Sequence, residues 1–310
     1  MVNNLISTYL IYLLGKALVL TALAPLVAGI IKKVKAFLQN RRGPGLFQLY
    51  FDIGKLLAKD SIISPTTSWI FTVTPFIYFA AAFGAAALAP VVAEVFFGTT
   101  GWQPDLFMLL YLFVLSRFFL VLAGLDAGSS FGGMGGAREM FVAVMVEPAL
   151  LLASLTVALR AHSTNLTAMT LSAQTGFGGL SAIFAATAFF VVLIAETGRI
   201  PVDNPDTHLE LTMIHEGMVL EYSGRRLGLI VWAVATKQLV LLVLFAALFW
   251  PFPLIIDSVA GQIVWLIVKV VLTAIALALT EMLANKMRLF KVPGFLAVAS
   301  LLALLAIVAQ

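Results

Sequence analysis

The chain has 310 residues, of which 62% are hydrophobic and only 11% charged, with a formal net charge of +4 and a mean hydropathy of +1.06. A soluble domain carries about 25% charged residues, so this composition excludes an ordinary soluble fold and points to an integral membrane protein. Cysteine is absent, which rules out a disulfide and thiolate ligation of an iron–sulfur cluster; any redox centre would have to sit on another chain.

Apolar runs of about 20 residues, the length that crosses a bilayer, fall at roughly 5–31, 68–93, 105–124, 139–160, 179–196, 228–250, 259–282 and 294–309. None alternates with the period of a barrel strand. The expected fold is therefore an all-α integral membrane protein, one polytopic domain over 1–310 with about eight transmembrane helices. The first run is followed, not preceded, by its basic residues (Lys32, Lys33, Lys35, Arg41, Arg42), the pattern of a retained first helix. Gly43-Pro44-Gly45 then breaks the helix. From Leu46 to Ala58 the apolar Phe47, Tyr50, Phe51, Leu56 and Leu57 recur at helical spacing between Gln48, Asp52, Lys55 and Lys59. That pattern predicts a short amphipathic helix at the membrane surface, serving as an anchor or facing a soluble partner.

The segment Gly124 to Glu139 is rich in glycine but lacks the Gly-Lys-Ser/Thr ending of a phosphate cradle, so its glycines are read as permitting close backbone approach or irregular structure beside a cavity. The next connector is the most charged. Glu196, Asp203, Asp206, Glu210 and Glu216, with His208 and His215, lie between two apolar spans, and Glu221-Tyr222-Ser223-Gly224 closes the segment. Charge at the mouth of a membrane helix suggests handling of protons, ions or a docked partner, against the simpler alternative of a solvated loop. His208 and His215 are seven apart, about 10 Å along a helix, too far to share one metal, and no metal site is expected.

Lys16, Arg117, Glu147, Lys237 and Lys269 fall inside spans, with Glu196 and Glu281 near helix ends. Each central charge costs about 2.5–3.5 kcal/mol on insertion scales. Lys237 and Lys269 lie near the midplane, where a side chain cannot readily snorkel, so they require carboxylates or water. Glu147 and Glu196 are the acids at hand. A buried Glu–Lys relay is one reading and structural ion pairs the other.

Fourteen basic residues, including Arg138, Arg199, Arg225, Arg226, Lys286, Arg288 and Lys291, gather on alternate loops, while the opposite loops hold little beyond Arg160. The positive-inside rule makes the basic face cytoplasmic and places both termini outside. The basic charge is thus expected to reflect topology and not nucleic-acid binding.

Two separated motifs carry a family resemblance. Arg41-Arg42-Gly43-Pro44-Gly45, Gln48, Asp52-Ile53-Gly54-Lys55-Leu56-Leu57 and Pro65 resemble the first cytoplasmic loop of the subunit 1 superfamily of proton-translocating NADH:quinone oxidoreductases. Ala195-Glu196-Thr197-Gly198-Arg199-Ile200-Pro201-Val202-Asp203 and Glu221-Tyr222-Ser223-Gly224 resemble its third. Between them, Arg117-Phe118-Phe119, Gly124 to Ser129, Ala137-Arg138-Glu139 and Val146-Glu147-Pro148 are similar to the hydrogenase branch, the membrane subunits of group 4 energy-converting nickel–iron hydrogenases such as formate hydrogenlyase. Val202 stands where the family carries phenylalanine, and residues 204–216 are longer and less acidic than the family pattern.

The resemblance implies a membrane anchor without a catalytic centre of its own, in a prokaryotic cytoplasmic membrane. Its expected partners are hydrogenase large and small subunits, an iron–sulfur subunit and antiporter-like membrane subunits, with the nickel–iron centre and clusters on those partners. Docking is assigned to Arg41, Arg42, Gln48, Asp52, Lys55, Asp126, Arg138, Glu139 and Arg199. A proton or sodium pathway is assigned to Glu147, Glu196, Asp203, Glu210, Glu216, Glu221, Lys237 and Lys269. The alternative is a quinone-binding subunit of an NADH:quinone oxidoreductase.

Overall fold

A computed structural model describes residues 2–91, 104–174, 178–204, 213–250 and 258–310. Glu210, Asp206 and His208 lie outside the described residues. In chain order the helices are α1 (Val2–Leu38), α2 (Gln48–Ala58), α3 (Trp69–Leu88), α4 (Leu106–Asp126), α5 (Ser130–Ala161) and α6 (Leu166–Gln174). There follow α7 (Gly179–Glu196), α8 (His215–Val219), α9 (Gly224–Leu248), α10 (Val259–Leu283) and α11 (Val292–Val308). Eight of them, all but α2, α6 and α8, are long and apolar enough to cross a membrane. In hydrocarbon every backbone polar group needs an internal partner, which a helix supplies along its own length. The free N–H groups at helix starts are met by side chains: Ser68 caps α3, Asp105 caps α4, Ser129 caps α5 and Ser258 caps α10.

The core gathers on α9, which packs against α1, α2, α3 and α10. Its residues Leu239, Val240, Leu241, Leu242, Val243, Leu244, Phe245 and Ala246 are all buried. A helix apolar on every side belongs at the centre of a bundle. Around it α3 packs on α4, and α11 closes against α5 and α7.

Hydrogen bonds sort the connections onto two faces. Ile62 N donates to Ser223 Oγ (2.9 Å), Ser68 N to Asp126 Oδ2 (2.8 Å) and Met287 N to the Pro201 carbonyl (2.8 Å). These bonds join the basic connections to one another. On the other face Leu106 N donates to the Thr164 carbonyl and Leu166 N to that of Pro104, both at 2.9 Å. By the positive-inside rule the first face is expected to be the cytoplasmic one. With no native cysteine to interfere, Ala58→Cys in α2 is expected to react with an impermeant maleimide only in inverted vesicles, and Ala260→Cys in α10 only in right-side-out ones. The reverse pattern would overturn the orientation.

The glycine-rich segment differs from its expected form. Only residues 127–129 are a turn; from Ser130 the chain is helical, so α5 begins nine residues before the span expected from 139. The expectation of close backbone approach holds. A Cβ at Gly135 would lie 2.8 Å from the Ile214 carbonyl oxygen and 3.2 Å from Met218 N, so α8 rests directly on the α5 backbone. At Gly133 nothing lies within 4 Å. Gly135→Ala should therefore displace α8 at a cost of about 1–3 kcal/mol, whereas Gly133→Ala should be neutral or slightly stabilising. Thermal unfolding of the purified chain in detergent checks the contrast; equal midpoints would remove the close-packing role.

Candidate ion-pathway site

Inside the bundle, four helices contribute charges to one cluster built around Arg117. Arg117 on α4 donates from Nε to Glu139 (2.9 Å) and from Nη1 to Glu147 (2.7 Å), both on α5. Its Nη2 donates to Glu196, the last residue of α7. The second oxygen of Glu196 accepts from Lys237 Nζ of α9 at 2.7 Å, and that ammonium lies 5.6 Å from the Phe113 ring centroid. Arg117 can serve three acids because a guanidinium presents five donors in a fixed fork. Three carboxylates thus face two cations, an arrangement with room for one exchangeable proton or small cation.

A second group lies nearer the basic face. Arg199 donates to Glu281 (2.9 Å) and to Gln238 Oε1 (3.2 Å), and Lys35 approaches the other oxygen of Glu281 at 3.4 Å. Asp203 accepts from Lys286 at 2.9 Å and from the backbone N–H groups of Asn204 and Ile214. Between the two groups is a cavity of about 250 Å³. It reaches from Tyr78, Arg117, Glu139, Glu196 and Lys237 to Lys32, Lys35 and Leu49 at the basic end, with Arg199, Asp203, His215 and Glu216 on its wall. Gln238 Nε2 is buried without a protein partner among the described residues and its side chain lines the cavity, so solvent there is the natural acceptor.

Of the residues assigned to the pathway, Glu147, Glu196 and Lys237 come together, but not as a Glu147–Lys237 pair: Arg117 and Glu196 stand between them. Asp203 and Glu216 line the cavity. Glu221 does not line it; the residue is exposed in the turn before α9. Lys269 is buried yet reaches neither Glu147 nor Glu196, and its ammonium sits 5.8 Å from the Trp265 ring centroid. Among the described residues no carboxylate lies within ion-pair distance of it.

The assigned docking residues divide. Arg41, Arg42, Gln48 and Lys55 are exposed on the basic face, and Asp52, half-buried, accepts from Gln48 at 2.9 Å. The other four are already used within the chain. Asp126 accepts from the Ser68 and Phe71 N–H groups at the start of α3. Arg138 donates to the Met213 carbonyl (2.9 Å), Glu139 belongs to the Arg117 cluster, and Arg199 is buried on Glu281. The Glu221-to-Gly224 motif is likewise architectural. The Tyr222 ring stacks on Phe71 with centroids 4.0 Å apart, and its hydroxyl donates to the Phe71 carbonyl at 2.9 Å. Burial holds the Tyr222 phenol protonated well beyond its ordinary range. Gly224 takes φ +54° where a Cβ would collide with the Asp60 carbonyl.

Sequence reasoning missed Arg117, Glu281, Lys35, Gln238 and Tyr78 as members of the site. The available signal was charge balance. Arg117 lies within a span, and an intramembrane arginine demands acids from other helices.

Residues 10–310 match the model of the family described as NADH dehydrogenase. The chain belongs to that family. It is 37% identical over 312 residues to formate hydrogenlyase subunit 4 of Escherichia coli (strain K12), covering 94% of this chain and 99% of that protein. Hydrogenase-4 component C of the same organism is 36% identical over 243 residues, covering 78% of this chain and 76% of that one. NADH-quinone oxidoreductase subunit 8 of Rhodothermus marinus is 30% identical over 256 residues, 77% of this chain and 72% of that protein. A solved chain of the membrane-bound sulfane sulfur reductase, an archaeal respiratory membrane complex, superposes with a TM-score of 0.84 over 97% of this chain and 99% of that one. At 18% identity that likeness shows the fold alone.

Proposed function

We infer that this chain is the membrane subunit of a hydrogenase-type respiratory complex of the formate hydrogenlyase kind, seated in the inner membrane with its basic face in the cytoplasm. The likeness to formate hydrogenlyase subunit 4 over 99% of that protein supports the hydrogenase reading above the quinone one, whose relatives match less of the chain. In this reading the chain holds no redox centre. The nickel–iron site and iron–sulfur clusters belong to soluble partners that dock on Arg41, Arg42, Gln48 and Lys55. Electron transfer there drives proton or sodium movement through the cavity to the Arg117 cluster, which hands charge to antiporter-like neighbours.

The observation that carries the proposal is the cavity itself. It connects the basic end, where a soluble arm would sit, to a cluster of three carboxylates and two cations deep in the bundle. Arg42→Glu tests the docking half. Arg42 is exposed, so the fold should survive, while hydrogenase activity should leave the membrane fraction for the supernatant. Hydrogenase retained at wild-type levels on Arg42→Glu membranes would show that this face is not the dock.

A further inference from the structure

We propose that the outer face of α5 around Glu147 seats a transmembrane helix of another subunit that carries a basic side chain at the depth of Glu147. This rests on the reading of the chain as one subunit of a membrane complex. Glu147 lies midway along the 32 residues of α5, yet its side chain is 38% exposed, against 1% for Glu196 and 6% for Arg117 in the same cluster. It therefore reaches the lateral surface of the bundle at a depth where lipid offers no hydrogen bond. Lipid-facing carboxylates at that level are disfavoured, and those found there face protein or water.

Three further observations converge on the same patch. The cluster behind Glu147 has three carboxylates and two cations, Arg117 and Lys237, so one more positive charge completes it. Pro148, the next residue, has no N–H to return to the Val144 carbonyl one turn back, which leaves a second acceptor beside the carboxylate. Phe141 and Val144, at 40% and 60% exposure, continue the stripe along the helix and give a neighbouring helix an apolar surface. Two acceptors and an excess negative charge on an apolar stripe fit a donor-rich cation, and a lysine or arginine supplies one from a single side chain.

The test uses the assembled complex in native membranes. The photoreactive residue p-benzoylphenylalanine replaces Phe141 in one variant and Val144 in another; both positions are exposed on the bundle surface, so the added benzoyl group projects outward and leaves the fold of this chain intact. Illumination should yield adducts to a transmembrane segment of another subunit, and mass spectrometry should find Lys, Arg or His in that segment within one helical turn of the cross-link. Lipid adducts alone at both positions, a second copy of this chain, or a partner segment without a basic residue at that depth would each overturn the proposal. Soluble subunits that co-purify while both sites capture lipid would defeat this inference and leave the functional reading standing; a complex without hydrogenase subunits would defeat that reading instead.

Discussion

Arg117→Leu should remove most of the chain from the membrane. Among the described residues, the substitution deletes the one ion-pair partner of Glu139 and of Glu147, and leaves Glu196 with Lys237 alone. Breaking one buried pair by removing a single partner costs about 3–5 kcal/mol. Two stranded carboxylates consume much of a total stability of about 5–15 kcal/mol. Arg117→Lys should be intermediate, because one ammonium cannot aim three donors along the directions that the guanidinium fork covers. The rescue is specific. Adding Glu139→Gln and Glu147→Gln to Arg117→Leu leaves Glu196 and Lys237 as a balanced pair, and membrane levels should recover substantially. Immunoblots of washed membranes, with thermal retention of the tagged chain, read all three variants. Wild-type abundance of the Arg117→Leu single variant would show that the cluster is not a structural requirement.

How far the residues announced this arrangement depends on the kind of signal. The eight spans were legible because length and hydropathy alone decide what crosses a bilayer. The start of α5 was not. Gly132, Gly133, Gly135 and Gly136 look like a loop by propensity, and what makes them helical is packing against α4 and α8 that no local pattern reveals. Glu147, Glu196 and Lys237 stood out as costly intramembrane charges, but their pairing needed the third dimension. Arg117 is 22 residues from Glu139, 30 from Glu147 and 79 from Glu196. The Glu221-Tyr222-Ser223-Gly224 motif had the look of functional chemistry, and its work is to pin the α2–α3 connection onto α9. The converse holds for Asp126, Arg138 and Arg199. Charged residues in connections suggest docking, yet each spends its polar groups on holding a helix start, a carbonyl or a buried acid in place.

Glu147→Gln should uncouple the complex without dismantling it. The amide keeps the size of the carboxylate, and its oxygen can still accept from Arg117 Nη1, which lies 2.7 Å from Glu147. Within this chain the variant leaves two carboxylates facing two cations, so none of its own buried charges is stranded. On the proposed pathway, what is lost is the carboxylate that would take up and release the proton. Positioned acid–base groups contribute about 10²–10⁴-fold to proton transfer, so ion uptake should fall by about tenfold or more, while hydrogen turnover on the soluble arm continues. Lys237→Met acts differently. It strands an oxygen of Glu196, and the structure names Glu196, not Glu147, as the partner whose neutralisation compensates. Accordingly Lys237→Met with Glu196→Gln should assemble better than Lys237→Met alone, whereas Lys237→Met with Glu147→Gln should not, since those two residues make no direct contact. Proton uptake by inverted vesicles, recorded alongside hydrogen turnover and membrane abundance, separates the cases. Full coupling in Glu147→Gln would reduce the cluster to a structural ion-pair network, and equal rescue by both double variants would refute the pairing that places Lys237 on Glu196.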